Sequence, residues 1–360
     1  MLRDSSGCAL RMTKTTQSYS WADLQENELL KVRLCELKLD IAGTYLEDCI
    51  HQLYSELDQK NVHFHPRCYL ADEWLCPDGE PVIGIPFYLV HPRLRQLEHK
   101  MLGEVEGNTH EPCMQLLRHE TGHAINYAYL LHRRKRWRKL FGPFSADYPD
   151  RYRFHAYSKN FVHHLDGFYA QYHPDEDFAE TFAVWLTPGK NWREQYKKWR
   201  ALEKLEYVDA LMKQIGNRQP LVKRGKKYWA VSSLKSTLEN YYKRRKKSSE
   251  DELPEFHDPY IKRIFSQQAA GTESRNIEKA SDFLRRHRER MIEQVSKWTG
   301  QRKYVVRNVI KDIIVRSDEL HLGVHHNQSY NESAIYSDLI AYVTALLVNY
   351  SYTGGFKKRK

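Results

Sequence analysis

The stretch Leu117-Arg118-His119-Glu120-Thr121-Gly122-His123-Ala124-Ile125 places two imidazoles one helical turn apart, with a carboxylate beside the first. Residues four apart on a helix are surface neighbours, about 5–6 Å between Cβ atoms. His119 and His123 can therefore reach one ion, which is the geometry of a zinc site. Glu120 projects from nearly the same face but cannot easily bind the same ion, so it is placed to hold a water there and take its proton. An H-E-x-x-H string fixes only three positions, and a chain with 18 His and 46 Asp plus Glu can produce one by accident. Context argues for the metal. Met114, Leu116 and Leu117 before the string, and Ala124, Ile125, Tyr127, Ala128, Leu130 and Leu131 after it, recur at helical spacing, predicting a buried helix over residues 112–132. Thr121, Gly122, Ala124 and Ile125 are uncharged, as packing behind a metal requires, and Arg118 is the one awkward charge. The competing reading is two unrelated histidines on a core helix.

A structural zinc takes four protein ligands, whereas a catalytic zinc takes three and keeps a position for water. The third ligand is sought downstream, in the segment from Tyr172 to Leu186. It begins with Pro174 at a first-turn position, carries Asp175, Glu176 and Asp177 in that turn, and continues with an apolar stripe, the pattern of a second helix. Glu176 and Glu180 are four apart and share a face. One of them can bind zinc while the other hydrogen-bonds a ligand histidine.

The combination H-E-T-G-H, followed some fifty residues later by E-D-F-A-E-T-F, resembles the gluzincin metallopeptidases. The resemblance implies that Glu176 completes a two-His-one-Glu site and that Glu180 orients His119 or His123, fixing the histidine tautomer. The stretches Glu73-Trp74-Leu75-Cys76-Pro77-Asp78-Gly79 and Ile83 to Leu94 add a likeness to a bacterial group of zinc-binding metallopeptidases described mainly from sequence. Together these likenesses span about residues 60–215 and imply a zincin-like α+β core, a peptide or protein substrate, and Zn2+ as cofactor. Glu120 is then the expected general base, passing a proton from water to the leaving amine. Related sites often use a tyrosine near the third ligand to stabilise the oxyanion, which makes Tyr169, ahead of Tyr172, the favoured donor; His163 and His164 are further candidates.

Peptide deformylases offer a rival third ligand, because they pair an H-E-x-x-H helix with an upstream cysteine and Cys76 lies before His119. The surrounding L-C-P-D-G does not match the deformylase motif. Residues Val82 to Val90 read as a strand whose Pro86 cannot donate to a ladder, suiting an edge that could pair with an extended peptide. His63 and His65 alternate along an expected strand, and His321, His325 and His326 read as a loop without acidic or cysteine partners.

At 360 residues, with 41% hydrophobic and 12% aromatic content, the chain can bury more than one core. Expected divisions are a flexible N-terminus at 1–20, the metallopeptidase domain at 21–216, a basic linker or arm at 217–260 and a mainly helical accessory region at 261–360. A net charge of +11 favours an anionic partner. Clustered cations such as Arg285, Arg286, Arg288 and Arg290, with Tyr228, Trp229, Tyr241 and Tyr242 nearby, allow a second function class: a nucleic-acid or protein-binding module with a structural or vestigial zinc site. The six cysteines show no disulfide framework, and no apolar signal segment opens the chain, so a cytoplasmic location is expected. The apolar stretch from Ala334 to Tyr350 is too short and polar for a membrane span and reads as a core helix.

Overall fold

A computed structural model describes residues 19–148, 155, 157–247, 257–267, 277–325 and 332–353. Most of the expected flexible N-terminus, the acidic stretch up to residue 256 and His326 lie outside the described residues. The arrangement is α+β, mainly helical with two small sheets.

The helix His110–Ala128, here called the histidine helix, carries the H-E-x-x-H string. It is buried all round from Leu116 to Ala128, which is why its polar residues need internal partners. Arg118 finds one in Glu56 of the helix Tyr45–Gln59, through a forked pair with both bonds at 2.8 Å. Thr121 Oγ1 turns back to the Leu117 carbonyl. The awkward charge of the sequence is thus a buried, paired one.

Across from it lies the acidic helix, Pro174–Leu186. Its start follows from its residues: Pro174 supplies a helical φ where no N–H is needed, His173 caps the Asp175 amide through Nδ1 at 3.1 Å, and three acids face the positive end of the helix dipole. Lys204 of the helix Ala201–Ile215 reaches back to Asp177 Oδ2 at 2.6 Å, tying a third helix behind the acidic one.

The histidine and acidic helices touch at Gly122. A Cβ there would lie 2.6 Å from the Ala179 Cα and 3.0 Å from its carbonyl oxygen. Backbone cannot yield as a side-chain tip can, so only glycine permits this approach.

Strands β1 (Arg67–Ala71) and β2 (Val82–Pro86) pair in parallel, from Arg67 opposite Val82 to Ala71 opposite Pro86. The strand expected to reach Val90 stops at Pro86, and Phe87–Val90 forms a buried 3-10 turn. Nor does β2 offer an open edge at its centre: Gly84 exchanges two backbone hydrogen bonds with Leu75 on the side away from β1. Phe87, Tyr88 and Leu89 are buried, so the segment turns into the core instead of presenting an edge.

Two large hydrophobic cores form among the described residues, beside a small cluster of Tyr69, Ala71 and Val82. The first runs from Trp21 to Tyr242 and surrounds both site helices. It takes in Val231, Leu238, Tyr241 and Tyr242, from the stretch expected to be a linker or arm. Arg245 adds a 3.0 Å contact to Glu98. Tyr241 and Tyr242 are therefore closed to base stacking. The second core holds the helices Ala280–Thr299, Lys303–Glu319 and Glu332–Thr353, with strands Ser266–Gln267, Leu322–His325 and Ile277–Lys279 in that spatial order. Ile335, Leu339, Val343 and Leu347 make one apolar stripe of the last helix, as expected of a core helix. No helix among the described residues is long and apolar enough to cross a membrane.

Gly122→Ala sets a helix-propensity gain of about 1 kcal/mol against overpacking of backbone, typically about 1–3 kcal/mol and more where nothing can move. The clash is expected to win, so thermal and urea unfolding should show a net loss of stability; a stabilised variant would show that the two helices have room to spare.

Candidate metal centre

Four-residue spacing brings His119 and His123 to the same side of the histidine helix, and the close approach at Gly122 brings Glu176 up to them. The two Nε2 atoms are 3.1 Å apart. Glu176 Oε2 lies 3.1 Å from the first and 3.2 Å from the second. Three ligand atoms bound tetrahedrally at about 2.0–2.1 Å would be separated by about 3.3 Å, so the triangle has the right size.

The outer hydrogen bonds fix what this triangle is made of. His119 Nδ1 lies 2.9 Å from Glu180 Oε1, and His123 Nδ1 lies 2.8 Å from Asp175 Oδ2. A ring nitrogen facing a carboxylate carries the proton, which leaves the opposite nitrogen as a lone pair when the imidazole is neutral. Two Nε2 lone pairs and a carboxylate oxygen then point at one another with no donor between them. A cation resolves that repulsion, and the donor set of two nitrogens and one oxygen suits a divalent ion such as zinc. Among the described residues, His119, His123 and Glu176 form the buried group able to hold a metal ion.

Each outer carboxylate is itself held. Asp175 accepts from Asn126 Nδ2 at 2.6 Å and from the Tyr127 hydroxyl at 2.5 Å. Glu180 takes the Leu165 amide at 2.9 Å on its second oxygen. Glu176 keeps Oε2 for the triangle while the Tyr148 hydroxyl donates to Oε1 at 2.9 Å. Tyr148 is itself stacked on His173, with ring centroids 4.0 Å apart.

Burial works against charge on His119, but its hydrogen bonds to Glu176 and Glu180 outweigh that and push its pKa up to about 9. The same opposition, burial against Asp175 and Glu176, leaves His123 raised as well. Burial alone would raise Glu176; the two histidines beside it bring it well below the ordinary carboxylate range. Glu120 behaves differently. It is buried, has no hydrogen bond to the described residues, and is raised by burial with only partial relief from the imidazoles.

The remaining sequence candidates are sorted by position. Tyr169 lies beside the centre, its ring centroid 5.6 Å from that of His119 and its phenol within electrostatic reach of Glu176 and Glu120. Tyr172 stacks on Tyr169. His164 Nε2 sits 3.0 Å from the Gln115 carbonyl, packed against the histidine helix and outside the metal-holding group, and His163 lies beside the Phe168 and Trp199 rings. Cys76 donates to the Glu80 carbonyl and is outside the metal-holding group, although its thiol feels Glu120. Asp177 is committed to Lys204. His63 and His65 both pair with Asp58 near the surface. His321 holds a left-handed backbone ahead of the strand that ends at His325.

Asp175 and Tyr148 were absent from the sequence candidates. Two ligand histidines call for two Nδ1 acceptors, and that requirement points to a second acid in the same first turn; nothing local marks Tyr148.

Residues 106–211 match the family described as "putative zinc-binding metallo-peptidase". The match covers both site helices and all of His119, Glu120, His123, Glu176 and Glu180, in agreement with the likeness seen in the sequence. No curated protein and no solved structure matches the chain.

Because His119 holds a proton up to about pH 9 in the metal-free protein, an ion must displace it. Protons on both imidazoles compete with the ion, so apparent zinc affinity should rise with pH through neutrality, by about tenfold per unit for each proton released. Calorimetry in buffers of different ionisation enthalpy counts the protons; an affinity flat between pH 7 and 9 would contradict this protonation state.

Proposed function

We propose that this protein is a zinc-dependent peptidase with a zincin-like core, in which His119, His123 and Glu176 hold the metal and Glu120 is the general base. The observation that carries the reading is the position of Glu120: a buried carboxyl group one residue from a metal-holding histidine, spending no hydrogen bond on the described residues around it. A structural or vestigial metal site has no use for such a group. Bound zinc supplies a Lewis acid that polarises a carbonyl and makes water more acidic.

The chain's own residues divide the rest of the work. Glu120 accepts a proton from the attacking water at a carboxylate oxygen and returns it to the leaving nitrogen, and its raised pKa suits a group that must do both near neutral pH. Asp175 and Glu180 keep the imidazoles in the tautomer that presents Nε2, and their own hydrogen bonds hold them still. Tyr169 donates to the oxyanion of a tetrahedral intermediate in this reading, which its ring 5.6 Å from that of His119 supports. Tyr148, already donating to Glu176, is a second hydroxyl on the same rim.

The alternative class, a nucleic-acid module, has less support. Arg286 pairs with Glu278 and Glu332, Arg285 with Asp282, Arg288 with Glu289, and Arg316 with Asp258, so much of the charge expected to meet phosphates is already met by carboxylates.

Glu120→Gln keeps the size of the side chain and removes the base. Hydrolysis of a quenched fluorescent peptide library by the zinc-loaded protein should fall by about 10²–10⁴-fold in kcat while zinc content stays that of the wild type; undiminished hydrolysis would remove Glu120 from the mechanism.

A further inference from the structure

The segment Lys223-Arg224-Gly225-Lys226-Lys227-Tyr228-Trp229 concentrates four cations and two aromatic rings in seven residues, and all four cations are exposed. None of the four has a carboxylate partner for its side chain among the described residues, unlike the arginines of the second core. Tyr228 is 37% and Trp229 54% exposed. Lys226 Nζ lies 4.8 Å from the Tyr228 ring centre, which leaves its charge outward on an aromatic base.

This exposed segment is fixed at every few residues. Leu221 and Val222 donate their amides to the Ala128 carbonyl at the end of the histidine helix, at 2.8 and 3.0 Å. The Lys226 amide donates to Glu80 Oε2 at 2.8 Å, the Tyr228 carbonyl accepts from the Tyr69 hydroxyl at 2.9 Å, and Ala230 bridges to Ala71 of β1. Trp229 holds a φ of 49°, a conformation that bulky side chains seldom adopt. An exposed indole kept in a costly backbone state suggests selection for its position rather than for stability.

Two of these anchors lead to the metal centre. Glu80 and Cys76 belong to one loop, joined by the Cys76 thiol on the Glu80 carbonyl, and Cys76 and Tyr69 both lie within electrostatic reach of Glu120. Through Tyr69 and the Cys76–Glu80 loop, the basic segment is tied to residues that neighbour Glu120.

We propose that residues 223–229 form a docking surface for an acidic stretch of the polypeptide substrate, held by Lys223, Arg224, Lys226 and Lys227 and by the faces of Tyr228 and Trp229. The proposal rests on the peptidase reading and adds the substrate's class to it. A peptide is favoured over a nucleic acid by what lies beside Trp229: a cavity of about 280 Å³ lined by Asp72 and Glu73 as well as Arg244 and Arg245. Phosphodiester linkages have no donor for those carboxylates, whereas main-chain N–H groups of a peptide can donate to them while its acidic side chains meet the cations.

The test uses full-length Glu120→Gln protein, so that binding is read without turnover, and a fluorescein-labelled peptide carrying a run of glutamates beside its glutamine counterpart. The glutamate peptide should bind more tightly, and more weakly as salt rises. Reversing the four cations to glutamate in one variant should weaken it about tenfold or more while the glutamine peptide is unchanged. Trp229→Gly removes the backbone strain, so it should raise Tm and still weaken binding; a purely structural Trp229 would lower Tm instead. Equal affinity of wild-type and charge-reversed surfaces for the glutamate peptide would overturn the proposal, as would preferential binding of single-stranded oligothymidylate at the same residues. The zinc-loaded wild type separates the two claims: segment-dependent binding without cleavage supports the surface and contradicts the peptidase reading, whereas cleavage indifferent to charge reversal does the opposite.

Discussion

The metal centre depends on two helices meeting backbone to backbone at Gly122 and Ala179. Gly122 lies between His119 and His123, and Ala179 lies between Glu176 and Glu180, so the contact sits in the middle of the group it assembles. A side chain at position 122 would separate the helix axes, and every distance in the triangle of Nε2, Nε2 and Oε2 would lengthen with them. Hydrogen bonds such as His119 to Glu180, at 2.9 Å, tolerate only a few tenths of an ångström before they weaken. The glycine of H-E-T-G-H is therefore part of the site although it has no functional group.

Charge explains why such a group is tolerated in a core. Glu120, Asp175, Glu176 and Glu180 share one buried volume with two imidazoles. Buried carboxylates without compensation cost several kcal/mol each. In the absence of an ion the histidines supply what compensation there is by holding protons, which is the origin of their raised pKa values. A divalent cation held there would take over that role, displacing the protons and accepting the Nε2 lone pairs. Asp177, one residue beyond Glu176, is kept apart from this balance by its own ion pair with Lys204. Burying both partners in each such pair lets a strongly polar helix run through an apolar core, as Arg118 and Glu56 do on the opposite helix.

The parts of the site that repeat with helical period were legible in the sequence: His119 with His123, Glu176 with Glu180, and the apolar residues that place both helices in the core. Glu180 contacts His119, one of the two histidines left open for it. What periodicity cannot carry was not legible. Tyr148 arrives from an irregular loop, and Asp175 looked like an ordinary first-turn acid until its partner was located. Val82 to Val90 reads as one edge strand because of Pro86, but the run is apolar throughout and carries no period to separate a strand from the buried turn at Phe87–Val90. Residues 217–260 read as a basic linker or arm because charge dominates the composition. In space, Tyr241 and Tyr242 turn into the core while Tyr228 and Trp229 face solvent, a division set by tertiary packing alone.

The second core, built on the helices from Ala280 onward, meets the first where the Lys303 amide donates to Glu104, and its arginines are spent largely on internal pairs. The catalytic account therefore rests on the first core and on its capacity to hold an ion. Zinc per chain, measured by elemental analysis on untagged protein after reconstitution, tests that most directly, with Glu176→Ala and Cys76→Ser beside the wild type. The account predicts about one zinc in the wild type and in Cys76→Ser, and a clear loss in Glu176→Ala. No zinc in any of the three would contradict it, and loss in Cys76→Ser with retention in Glu176→Ala would move the third ligand to the cysteine.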